Sequence, residues 1–289
     1  MSGIPLVSIV TLAFNHGKYL RQCLDGFVMQ VTDFPFEVII HDDASTDDTA
    51  QIIREYEQRF PHIFKPVYQS ENQYSKGIPI GATYLYPAVR GKYICECEGD
   101  DWWTDPYKLQ KQVDFMESHP DYSLCCTAYG SMLMKDGFVK NEKGVETDIT
   151  LRQLMKKNLI GTLTVMYRTE LHQEYMQQVL PVMPKFRMGD IPLWLFMASK
   201  GKIRKLADQT AMYRKLEYSA SHSDDFDRQL DFLLDASKIR LWMNGFLGTG
   251  YALYLKMIMY SDVLNFCRKW SRSHGVGITG LWKKAIKHI

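Results

Sequence analysis

At 289 residues, with 46% hydrophobic and 24% charged side chains, the chain has the composition of a soluble globular protein of one large domain or two small ones. Its net charge of +2 gives no bias toward polyanions, which argues against nucleic-acid binding. The opening M-S-G-I-P-L-V-S-I-V has no basic leader before a cleavable apolar run, no apolar segment reaches bilayer-spanning length, and the six cysteines sit mostly in apolar runs without zinc-site spacing, so a cytoplasmic protein with buried, reduced thiols is expected.

In chain order, Leu6–Leu12 is rich in β-branched residues and reads as a buried strand running into the polar turn Ala13-Phe14-Asn15-His16-Gly17. Tyr19/Leu20, Cys23/Leu24 and Phe27 then recur at helical spacing. Phe36–Ile40 is a second strand, ending in His41-Asp42-Asp43-Ala44-Ser45-Thr46-Asp47-Asp48-Thr49, and Ile52, Ile53, Tyr56 and Phe60 make the next helical stripe. Ser45, Thr46 or Asp47 can cap that helix. Phe64–Gln69 is a short third strand. The β-α-β-α-β pattern implies a mainly parallel sheet with ligands at the carboxyl ends of its strands.

Ser70–Arg90 is loop-like with a short helix at its end, and Tyr93–Trp103 follows, reading Y-I-C-E-C-E-G-D-D-W-W. Here a strand delivers two adjacent carboxylates, Asp100 and Asp101, to the edge where Asn15 and Asp43 also arrive. Two ionised carboxylates side by side repel unless a cation or solvent separates them. Read alone, the pair is equally an exposed acidic turn; three other strand-end signals aimed at one cleft favour a metal-and-nucleotide role. Trp102 and Trp103 either pack in the core or stack on a sugar.

Beyond the pair, Asp105-Pro106 starts a helix with Leu109, Val113 and Met116 inward. Ser123–Tyr129 is a strand, Lys135-Asp136-Gly137 a hairpin turn, Thr147–Lys157 a helix, Thr164–Tyr167 a strand and Glu170–Leu180 a helix. Asp190 precedes a Pro192-initiated, almost wholly apolar helix, and Leu206–Arg214 is the last strand. From residue 224 the pattern is helical without strands, so a second, helical region over 224–289 is expected beside a first over 1–223. Its end mixes Trp270 and Trp282 with cations: residues 261–289 hold six Lys/Arg against one Asp, a local charge of +5. That composition suits an anionic membrane surface, or equally a solvated tail or an oligomer contact.

Four stretches in order, V-S-I-V-T-L-A-F-N, F-E-V-I-I-H-D-D-A-S-T-D-D-T, G-K-Y-I-C-E-C-E-G-D-D-W-W-T-D-P and G-D-I-P-L-W-L, resemble the signatures of family 2 glycosyltransferases over roughly residues 5–215. The resemblance implies an α/β GT-A fold and an inverting, metal-dependent transfer from a nucleotide-sugar. The sequence departs from the family in Leu12-Ala13-Phe14-Asn15, where most members have P-x-Y-N, and in Gly99-Asp100-Asp101, where many have D-x-D. By resemblance, the Ala13 backbone, Asn15 and Asp43 line the nucleotide pocket, with Asp43 accepting from a uracil N–H. Asp100 contacts ribose or metal, and Lys76 is placed to reach a phosphate. Asp101 holds Mn²⁺ or Mg²⁺, alone or with His222 of S-A-S-H-S, and Asp190 is the general base. The expected partners are a nucleotide-sugar, favouring UDP, and a saccharide or lipid-linked saccharide acceptor of surface polysaccharide or O-antigen synthesis. Peripheral contact with the inner face of the membrane and a homo-oligomer are further expectations. A nucleotidyltransferase would need a Gly-rich basic loop that Phe14-Asn15-His16-Gly17 does not supply, and a non-catalytic scaffold has no use for intact Asp43, Asp100, Asp101 and Asp190.

Overall fold

The buried run Val7–Ala13 forms β1, with every residue but Leu12 turned away from solvent. The computed structural model describes residues 3–135, 137–141, 144–216 and 225–288. β1 pairs in parallel with β2 (Phe36–Asp42) on one side and β4 (Tyr93–Glu96) on the other, and β3 (Phe64–Tyr68) pairs with β2. Helices α1 (Gly17–Val28) and α2 (Thr49–Arg59) make the crossovers and bury Leu20, Leu24, Phe27, Ile52 and Ile53 on one face of the sheet. The carboxyl ends of β1, β2 and β4 therefore lie side by side, where ligands bind on such sheets.

The rest of the chain extends this sheet through β5 (Trp102–Trp103), α3 (Lys108–Ser118), β6 (Tyr122–Leu133), the short β7 (Val139–Lys140) and β8 (Thr147–Asp148), α4 (Leu151–Lys156), β9 (Met166–Arg168), α5 (Thr169–Gln178), α6 (Asp190–Lys200) and β10 (Lys202–Lys215). The strand order is β3-β2-β1-β4-β9-β6-β10-β5. The sheet is mixed: β9 enters antiparallel between β4 and β6, and β5 lies antiparallel on β10. The expected helix over Thr147–Lys157 is confined to α4, because Thr150 and Gln153 form a reciprocal capping box and the residues before them pair with Arg204 and Lys205 of β10.

Three helices follow: α7 (Phe226–Leu247), α8 (Ala252–His274) and α9 (Ile278–Ile286). Ile239, Met243 and Leu255 join Val10, Ile94, Leu124, Trp194 and Phe196 in the second core, under α6. Phe226, Leu230, Leu234, Met259, Val263, Cys267 and Ala285 form a third core among the helices themselves. The helical region thus shares part of its core with the sheet; its expected boundary near residue 223 falls outside the described residues. Among the described residues, no helix is long and apolar enough to cross a membrane.

Trp103 joins these layers next to the acidic pair. It is 2% exposed, its ring meets Phe27 edge-on at 4.8 Å, its Nε1 donates to the Leu163 carbonyl at 2.8 Å, and the Lys108 Nζ lies 4.2 Å from the ring centroid. Of the two roles open to it, this is core packing. Trp103→Ala removes a large, fully buried side chain and leaves a cavity, so denaturant titration should show a loss of about 3–5 kcal/mol; a loss under about 1 kcal/mol would contradict the packing role.

Candidate active site

Two loops close the carboxyl edge of the sheet, and each is latched to the other. Asn15 and Ala44 adopt left-handed backbone conformations, with φ of 54° and 60°. The Asn15 amide donates to Ser45 Oγ at 2.9 Å, while its Oδ1 accepts from the Thr46 amide at 2.8 Å. One residue on, the His16 amide donates to Thr49 Oγ1 and the Gly17 amide to Asp47 Oδ2, both at 2.9 Å. A Cβ at Gly17 would lie 1.6 Å from Asp48 Oδ1, so a larger residue here would force the Asp48 side chain aside. The acidic run after β2 is therefore first a device that fastens loop to loop.

Behind these loops lies a cleft of about 520 Å³, lined among others by Ala13, His16, Asp43, Tyr74, Glu98 and Asp100, a size suited to a small-molecule ligand. Asp43 is 2% exposed and accepts from the amides of Gln73 at 2.7 Å and Tyr74 at 3.0 Å. It thereby orders the segment whose Tyr74 side chain stands 78% exposed at the cleft. Asn15 holds the rim instead of lining the cleft. Lys76 pairs with Glu71 at the surface and is likewise not part of the lining.

At the cleft floor, Glu98, Asp100 and Asp101 bring one carboxylate oxygen each within 4.8 Å of the others. Glu98 and Asp100 face the cleft. Asp101 lies behind them, 3% exposed, and accepts from the Arg214 amide at 2.7 Å. The Arg214 side chain donates to the Asp100 carbonyl and, at 2.6 Å, to Gln22 Oε1, and its guanidinium lies between the Tyr19 and Trp102 rings. Burial, then the Asp100 and Glu98 charges, push the Asp101 carboxyl well above the usual range. Glu98 is pushed up to about 7, first by the protein packed round its carboxyl although the side chain is open to the cleft, then by Asp100, Asp190 and Glu96. Glu98 and Asp101, reluctant to ionise, form with the adjacent Asp100 a donor set of hard oxygens that fits a divalent cation such as Mg²⁺ or Mn²⁺. Sequence reasoning passed over Glu98, His16 and Arg214. The signal for Glu98 was present: Glu98-Gly99-Asp100 is an acid-x-acid spacing one step upstream of the adjacent pair.

Asp190 opens α6, half-buried, and accepts from Asn158 Nδ2 at 2.9 Å. Burial raises its pKa, and hydrogen bonds from the Ile191 amide and Asn158 offset part of that rise. Its charge is felt at Glu98, so it lies within electrostatic range of the acidic cluster. Arg240 of α7 is also within range: it is 8% exposed, and its Nε is buried without a hydrogen-bond partner among the described residues. His222 lies outside the described residues.

The sequence profile described as Glycosyl transferase family 2 matches residues 8–188. The chain belongs to glycosyltransferase family 2. An uncharacterized protein of Mycobacterium tuberculosis is 36% identical over 227 residues, which are 77% of this chain and 62% of that protein. The chain thus spans less than two thirds of the length of the first of its curated relatives. WfaP of Escherichia coli, a UDP-Glc:alpha-D-GlcNAc-diphosphoundecaprenol beta-1,3-glucosyltransferase, is 26% identical over 199 residues, 68% of this chain and 72% of WfaP. TarS of S. aureus, solved with UDP-GlcNAc, superposes with a TM-score of 0.59 at 18% identity over 91% of this chain and 80% of that one. The mixed sheet flanked by helices is the GT-A fold of this family, whose members generally use a divalent metal.

Protons would compete with any cation that Glu98 and Asp101 hold. A carboxyl whose folded-state pKa is raised binds a cation only after losing its proton, so cation affinity is lost as pH falls through about 7. The rise in Tm caused by Mn²⁺ should therefore be large near pH 8 and shrink toward pH 6. A rise that is flat across this window would remove these carboxylates from the cation site.

Proposed function

We propose that this enzyme transfers a sugar, with inversion, from a UDP-sugar to a hydroxyl of a saccharide or lipid-linked saccharide acceptor in bacterial surface polysaccharide synthesis, on the cytoplasmic side. The observation that carries the reading is the meeting of Asp43, the Glu98/Asp100/Asp101 cluster and, within electrostatic range of that cluster, Asp190 around one cleft. The diphosphoundecaprenol acceptor named for WfaP and the UDP-GlcNAc complex of TarS support the acceptor and donor classes.

In this reading the nucleotide lies against Ala13 and Asp43. Each carboxylate oxygen has more than one lone pair, so Asp43 can hold the Gln73 and Tyr74 amides and still accept a uracil N–H. Asn15 acts through the rim it fastens. Lys76, paired with Glu71, is assigned no phosphate contact. Glu98, Asp100 and Asp101 would hold Mg²⁺ or Mn²⁺, which neutralises the charge developing on the leaving diphosphate. Because Asp101 is buried behind them, the cleft-facing Glu98 and Asp100 carry more of that task than Asp101; His222 stands as a further proposed ligand.

Asp190 takes the proton of the acceptor hydroxyl as its oxygen attacks the anomeric carbon from the face opposite the diphosphate. One C–O bond forms, the C–O bond to phosphate breaks, and the configuration inverts. Asn158 fixes the carboxylate's direction, and the raised pKa of Asp190 makes it a stronger base than a solvated aspartate. Asp190→Asn should lower kcat by a factor of about 10²–10⁴ and leave intact the Tm increase produced by UDP-sugar with Mn²⁺. Undiminished transfer by the variant would remove Asp190 as the base.

A further inference from the structure

The C-terminal tail, on composition the expected membrane contact, spends much of that character inward. Trp270 and Trp282 pack on the core of α7–α9, Lys284 pairs with Asp227 at 2.5 Å, and His288 lies 3.5 Å from Asp231. A different face carries exposed apolar groups beside free cations. On α8, Leu253, Met257 and Tyr260 are 75%, 64% and 47% exposed, at spacings of four and three residues that align them along one side of the helix. The neighbouring α4 carries Arg152 in its first turn and Lys156 at its end, with Lys157 just after, all exposed and none in an ion pair among the described residues. Arg152 joins the two helices, its guanidinium 5.7 Å from the Tyr254 ring. The nearby acid, Asp262, is half-buried against Arg240 and lies within electrostatic range of Lys156 without forming an ion pair with it, so Arg152 and Lys157 are the cations clear of any acid among the described residues. Exposed aliphatic and tyrosine side chains flanked by unpaired cations are what an interfacial surface on anionic lipid requires.

We propose that the α4–α8 face docks on the surface of an anionic phospholipid bilayer, with Leu253, Met257 and Tyr260 entering the headgroup layer and Arg152, Lys156 and Lys157 on its phosphates. The charge pattern selects this occupant over a second copy of the chain: a like face would set these cations against one another. The position of the face matters for the reaction. The basic run ends at Lys157, and the next residue, Asn158, is the one that orients Asp190. Docking by this face brings the bilayer to the side of the cleft that holds the base, where a lipid-linked hydroxyl must arrive. The inference rests on the lipid-linked form of the acceptor reading.

The test is sedimentation of the full chain with phosphatidylcholine vesicles with and without phosphatidylglycerol. Binding should require phosphatidylglycerol and weaken with salt. Arg152→Glu/Lys156→Glu/Lys157→Glu should lower the partition coefficient at least about tenfold, as should Leu253→Ser/Met257→Ser, whereas Lys283→Glu/Lys287→Glu in the tail should leave it unchanged. All substituted residues are exposed, and the UDP-sugar-induced Tm rise, measured on each variant, should be retained. Equal binding by the α4 and wild-type proteins, no binding to phosphatidylglycerol, or sedimentation equilibrium showing a dimer broken by the Leu253/Met257 variant would each overturn the proposal. Loss of the Tm rise in the wild type would count instead against the donor reading.

Discussion

Three carboxylates at the end of one strand set the terms for the rest of this molecule. Glu98, Asp100 and Asp101 crowd their charges together, and burial adds to the cost of ionising Glu98 and Asp101. The fold meets that cost with fixed dipoles and with one deeply buried cation. The Arg214 amide is aimed at Asp101, and the Arg214 guanidinium, held between Tyr19 and Trp102, bonds to the Asp100 carbonyl and to α1 through Gln22. Since β5 pairs antiparallel with β10 at Trp102 and Trp103, the sheet edge itself presses Arg214 against the acidic turn. This explains why a short two-residue strand is present at all. The compensation is partial: Asp101 stays raised despite Arg214, which leaves the cluster suited to the charge of a divalent cation.

A second constraint acts at the ends of β1 and β2. Left-handed conformations at Asn15 and Ala44 cost energy for residues bearing a Cβ, and they persist because the neighbouring hydrogen bonds over-determine them. Asn15 accepts from Thr46, Ser45 accepts from Asn15, and Asp47 and Thr49 accept from the start of α1. Asp43 extends the same principle to a third segment by binding two consecutive amides. The cleft is thus walled by loops that hold each other, which keeps their backbone polar groups satisfied without filling the space between them.

Much of this was legible in the residues. The β-branched runs, the helical stripes and the polar turns named the first three strands and the edge at which Asp43 and Asp100 meet, because each rests on local periodicity. The insertion of β9 between β4 and β6 was not legible, since a three-residue strand has no period to read and its place is decided by partners distant in the chain. Arg214 looked like the end of a strand; its importance appears only when β5 and α1 close on it. Glu98 was hidden by its own neighbours, the adjacent pair drawing attention away from the acid two positions earlier. The tail's alternatives stayed open for a related reason: composition counts tryptophans and lysines but does not say that Trp270 and Trp282 turn inward.

The C-terminal helices are more than an appendage to the sheet. Their inner residues complete the core beneath α6, so the orientation of the helix that begins with Asp190 depends on Ile239, Met243 and Leu255 being in place. Arg240 follows Ile239 directly, and its guanidinium is buried with no ion pair among the described residues, a costly state for a charge unless an electrostatic field offsets it. That field comes from Asp262 on one side and Asp190 on the other. Asp190, whose pKa burial raises, thereby faces a cation on a different structural layer, and Asn158, just past α4, donates to its carboxylate. The same α4 and α8 that frame this arrangement carry the exposed cations and apolar side chains on their outer faces. Asp190, the helical region and the outer surface are consequently packed as one unit, since α4, α6, α7 and α8 all contribute residues to the second core.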